Sequence, residues 1–187
     1  MKKLLYVLIV FLFFNLTSNA DVDYRSIYNG LENPEFSYIH GIDPDQYYDM
    51  QQMAWSPYPL FRLNSEVYFK KQVIPPGYYL LTPREHDGKW YILFKENGTV
   101  KATIPCYKHE IVPETFYKDN LPKEKLTPTQ KIHIGFVHFV SSFNSAGRKK
   151  APSTYLEIED VDNDYLSIIL YYGSWKYYIV LRNKIMQ

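Results

Sequence analysis

The chain has 187 residues, 46% of them hydrophobic, with 21 Lys and Arg against 20 Asp and Glu. That composition belongs to a folded domain with a core and excludes a disordered chain, and a formal charge of +1 leaves no net field to draw it to nucleic acid. The single cysteine, Cys106, excludes an internal disulfide and a paired-cysteine zinc framework.

Chain order begins with Lys2 and Lys3, an apolar run from Leu4 to Phe14, and Ser18-Asn19-Ala20. This is the layout of a cleaved secretory signal over residues 1–20. The apolar run is well short of the roughly 20 residues that span a bilayer. The expectation is an exported protein, periplasmic or secreted, with Asp21 first in the mature form and no transmembrane anchor after cleavage.

Residues 21–65 mix tyrosines with turn pairs such as Asn29-Gly30, Asn33-Pro34 and His40-Gly41. With no sustained alternation, the segment is expected to be irregular and to lie across the outside of a sheet. One piece reads as a short helix near 44–53: Asp43-Pro44 sets a capping side chain before a proline at the first helical position, and Tyr47, Met50 and Ala54 follow at helical spacing, facing inward.

Residues 66–187 read as an antiparallel β domain. A strand over Glu66–Gln72 is closed by Pro75-Pro76-Gly77. A three-strand meander follows: Gly77–Thr82, Trp90–Lys95 and Thr99–Ile104, with reversals at Asp87-Gly88 and Asn97-Gly98, the pairs that most readily take positive backbone angles. In Trp90–Phe94 both alternating faces are apolar, so both must be covered. Residues 108–129, rich in proline and charge, read as a long connection, and connections of that length are usually functional or mobile. Further strands are expected over Lys131–Ser141, Thr154–Glu159, Tyr165–Tyr172 and Trp175–Arg182. The fold class is therefore mainly β: about eight antiparallel strands as a small barrel or β-sandwich, with the irregular segment and helix packed on it.

Candidate chemistry is sparse. Cys106 and His109 invite a thiol–imidazole pair, but side chains three apart on a strand point to opposite faces. His133 and His138, an odd number apart, are split likewise, and no metal site is read from them. Asp160, Asp162 and Asp164 open like a calcium loop, yet Tyr165 and Tyr171 stand where such a loop needs glycine and glutamate. Arg84, Glu85, His86 and Asp87 share one polar turn. Asn97-Gly98-Thr99 fits a glycosylation sequon that the hairpin already explains. No catalytic motif and no cofactor motif stands out.

The function expected from these residues is an exported, non-enzymatic binding protein holding a small apolar or aromatic ligand between sheet faces, lined by Trp90, Ile92, Phe94, Phe136 and Tyr171. The alternative is a surface interaction module that meets a protein or glycan through exposed tyrosines and the basic loop carrying Arg148, Lys149 and Lys150.

Overall fold

A computed structural model describes residues 22–52, 58–113, 115–122, 127–142, 151–161 and 164–183. Residues 1–20, read as the signal, lie outside them. Chain order begins with helix α1 (Tyr24–Gly30), a 3-10 turn (Ile39–Gly41) and helix α2 (Gln46–Gln52). Strands β1 (Leu60–Leu63), β2 (Val67–Phe69), β3 (Gln72–Ile74), β4 (Gly77–His86), β5 (Lys89–Glu96), β6 (Thr99–Pro105) and β7 (Lys108–Ile111) follow. Helices α3 (Phe116–Asn120) and α4 (Pro128–Ser142) precede β8 (Thr154–Val161), β9 (Tyr165–Tyr172) and β10 (Trp175–Arg182).

The ten described strands form two antiparallel sheets in a sandwich-like arrangement. The first has the order β1-β4-β5-β6; the second runs β3-β2-β10-β9-β8, with β7 also on β10. Both meander reversals occur as expected: Asp87 and Gly88 take φ of 50° and 74°, and Asn97 and Gly98 take 50° and 77°. Two consecutive left-handed residues give the turn whose twist matches that of the flanking strands.

Between the sheets, Phe61, Tyr79, Leu81, Ile92, Phe94 and Ile104 from the first meet Val67, Ile168, Leu170, Tyr177, Ile179 and Leu181 from the second in one buried cluster. The outer faces are covered too. The segment 33–49 crosses the first sheet, and α1 lies on the second, with Tyr28 packed on Tyr165 at 5.6 Å. The two-sided apolar strands of the sequence are thus two-sided because polypeptide shields both faces.

Three expectations are corrected. Lys131–Ser141 lies within helix α4, not in a strand. Its start is set by Thr127-Pro128-Thr129-Gln130: the Gln130 side chain accepts from the Thr127 backbone N–H at 2.9 Å, the Gln130 N–H donates to Thr127 Oγ1 at 3.4 Å, and Pro128 needs no donor at the first helical position. The strand expected over 66–72 is broken, because Lys70 adopts φ 53° and its N–H donates to the Tyr28 hydroxyl at 2.6 Å, dividing β2 from β3. The connection 108–129 opens as strand β7, and its described residues also include helix α3. The helix expected near 44–53 is present as α2, although Tyr47 points outward at 66% exposure.

Candidate functional site

The site follows from how the chain passes from one sheet to the other. At the end of β6 the Cys106 N–H donates to the Trp90 carbonyl in the first sheet at 2.8 Å, and the next N–H, of Tyr107, donates to the Tyr178 carbonyl in the second at 3.0 Å. Consecutive residues therefore pin two sheets together, and β7 begins immediately. This brings Trp90 of β5 and His109 of β7 to one edge of the sandwich, with ring centroids 6.2 Å apart. Trp90 rests on Tyr177 at 5.0 Å, and His109 is followed by Trp175 at 5.4 Å.

The chain segment after α1 forms the opposite wall. Phe36 lies against His86 at 3.9 Å with the rings tilted by 33°, and meets Tyr91 edge-on at 5.0 Å and 87°. Between these walls is an open groove of about 650 Å³ floored by Trp90, Tyr91 and the 105–107 crossing. Glu32, Glu35 and Asp87 line it together with Lys89 and Lys108, so both signs of charge ring the aromatic floor. The groove size falls in the range typical of small-ligand sites.

The thiol of Cys106 borders this groove, but burial pushes its pKa well up, so it is held as a thiol and is no nucleophile at neutral pH. Burial likewise raises Tyr107 to about 12. Among the described residues no three His, Cys, Asp or Glu side chains converge as a metal site.

The expected lining residues separate. Trp90 lines the groove, whereas Ile92 and Phe94 are fully buried in the core between the sheets. Tyr171 lies on the outer face of β9, stacked on Phe116 of α3 at 4.2 Å and 3°, with its hydroxyl donating to Glu157 at 2.9 Å. Phe136 stands on α4 at 65% exposure. Arg148, Lys149 and Lys150 lie outside the described residues. His133 and His138 belong to helix α4 and not to a strand. Sequence reasoning missed Phe36 and Glu35 altogether, because an irregular segment offers no periodicity to mark a ligand-facing side.

A second polar constellation lies under the N-terminal segment. Arg84 and Lys95 project from the outer face of the first sheet into a buried cluster with Asp43, Asp49 and Tyr58. Arg84 Nη2 lies 2.8 Å from Asp43 Oδ2, Lys95 is ion-paired with the same carboxylate, and Arg84 Nη1 donates to the Tyr58 hydroxyl at 2.9 Å. Gln46 accepts from Lys95 at 3.3 Å. Burial alone would raise the Asp43 carboxyl, but hydrogen bonds from Arg84 and Lys95 outweigh it and hold the group below the ordinary aspartate value. Charges of opposite sign meet here in a closed space, so the cluster ties a loop to a sheet.

Comparison with known protein families, with curated proteins and with solved structures finds no match for this chain.

Proposed function

We propose that this protein is an exported, non-enzymatic binding protein that takes a small ligand with a flat apolar or aromatic face in the groove between residues 32–36 and the Trp90–His109 edge. The observation that carries the reading is the set of aromatic rings from four separate stretches, Phe36, His86, Trp90 with Tyr91, and His109, gathered around one open space of about 650 Å³. Rings with a free face are where a flat ligand gains contact at small entropic cost. Export is proposed from the signal-like residues 1–20. Native mass spectrometry of the protein purified from its own host tests the whole reading. A co-purifying small molecule that is lost on Phe36→Ala supports it; an apo mass, together with no response of tryptophan fluorescence to either the apolar probe N-phenyl-1-naphthylamine or a neutral hexaose, refutes it.

A second reading is a surface interaction module. It is favoured by the exposed Tyr47, Tyr48 and Tyr78 and by Ile132, Phe136 and Phe139 on α4, each 56% exposed or more. Cross-linking in the native host, with capture through these positions and not through the groove, would establish it.

A further inference from the structure

We infer that the ligand of this groove is an uncharged oligosaccharide, an assignment that rests on the binding role just proposed and narrows it to one chemical class. The first ground is the combination of surfaces. Purely apolar ligands are held in pockets that are mostly hydrocarbon, with few polar groups. This groove instead sets carboxylates (Glu32, Glu35, Asp87), ammonium groups (Lys89, Lys108) and the Asn33 amide around its rings. Lys108 already has Glu110 at 2.7 Å and Asp87 has His86 at 3.4 Å, but an apolar ligand would still strip water from Glu32, Glu35, Lys89 and the Asn33 amide and offer nothing in its place, at a cost for each. A ligand that is flat and aliphatic on its face but carries hydroxyls around its rim would satisfy them, since every hydroxyl both donates and accepts.

The rings supply the complementary half. Sugar rings present a face of C–H bonds whose positive edges suit the negative face of an aromatic ring. Trp90, His109 and Trp175 follow one another at 6.2 and 5.4 Å along the edge where β5, β7 and β10 meet, and Phe36 with His86 forms a separate close aromatic pair across the groove. Two aromatic stations on an open groove suit a chain of sugars better than one small molecule enclosed on all sides. His109, which lines the groove, and Trp175 beside it, outside the lining, are both exposed, so a longer chain could continue from one ring to the other.

Charge selects within the class. Among the described residues three carboxylates stand against two ammonium groups and no cluster of cations is aimed into the space, so these residues give the groove neither the focused positive field that a phosphate or uronate demands nor a strong negative one. A neutral glycan, or one carrying acetamido groups, fits that balance.

The test uses the full mature chain and titrates cellohexaose, chitohexaose and mannohexaose in turn, reading tryptophan fluorescence and calorimetric heat, with N-phenyl-1-naphthylamine as the apolar comparison. At least one hexaose is expected to saturate, and His109→Ala and Phe36→Ala are each expected to weaken it about tenfold, the scale of one aromatic contact. Tyr171→Phe, remote from the groove, leaves the affinity unchanged. Glu35→Ala, at an exposed position, is expected to weaken binding as well and keeps the test valid should an aromatic variant fail to fold. If no hexaose binds while the naphthylamine binds and its binding is lost in Phe36→Ala, the glycan assignment is overturned and the groove stands. If neither binds, both fall. Saturation that ignores all three groove variants overturns the assignment too.

Discussion

Asp43 and Lys95 stand 52 residues apart in the chain and form an ion pair whose two side chains have 0% and 2% of their surface exposed. Their meeting fixes the irregular N-terminal segment on the outer face of the first sheet. The same segment, a few residues earlier, supplies Phe36 to the groove, so the ion pair positions one wall of the candidate site.

Removing Asp43 leaves Arg84 and Lys95 as buried cations without their shared partner. Asp43→Ala is expected to cost about 3–5 kcal/mol, the usual consequence of orphaning a buried charge. Asp45, 3.8 Å from Arg84 and 63% exposed in its side chain, should cost under about 1 kcal/mol when replaced by alanine. Urea denaturation of both variants, with limited proteolysis between residues 32 and 49, checks the contrast.

Acid should weaken the fold by a calculable route. The Asp43 carboxyl is held below its ordinary value of 3.8, so its contribution is complete above that pH and is lost as the pH falls through the lowered folded value. Glu110 behaves alike: hydrogen bonds from Lys108, Lys176 and Tyr178 bring it from 4.5 to about 2, and the tie between β7 and β10 loosens across that interval. Melting temperatures at pH 7, 4, 3 and 2 should fall below pH 4.5, with a shallower fall in Glu110→Gln.

Gly41 has φ 70°, and a Cβ there would collide with the Thr99 side chain. Gly88 has φ 74° and open space around it. Gly88→Ala should therefore show only the left-handed backbone cost of about 1–2 kcal/mol, and Gly41→Ala should exceed it. Equal losses in the two variants, measured by denaturant titration, would show that the 3-10 turn does not press on the β5–β6 hairpin.

Phe116→Ala should uncover Tyr171 and cost about 1–2 kcal/mol from lost stacking and burial. It should leave groove binding intact, because Tyr171 faces α3. Changed tyrosine solvent accessibility without changed ligand affinity is the expected pair of results.

Much of this fold was legible because its signals are local. Asp87-Gly88 and Asn97-Gly98 need positive φ wherever they occur between strands, and two-sided apolar strands must be buried on both sides. The failure at Lys131–Ser141 is also local. Ile132, Ile134 and Phe136 alternate like a strand, while Ile132, Phe136 and Phe139 also keep helical spacing, and the capping box at Thr127–Gln130 decides between them. Trp90 was recognisable with Ile92 and Phe94 from the two-sided apolar strand, and it alone of the three lies at the strand end that reaches the groove. Phe36 and His109 were not, since each acquires its role from a partner more than 15 residues away.

The central place of β10 constrains how the protein is made. This final strand is flanked along one edge by β9 and along the other by β7 at its beginning and β2 at its end. While the ribosome is still making residues 175–182, β2 with β3 has no sheet to join and β7 has no neighbour. Strands β2, β3 and β7 must therefore wait for β10, and a nascent chain stopped before Trp175 would hold the β1-β4-β5-β6 sheet and the β8–β9 hairpin without the strand that joins the rest to them.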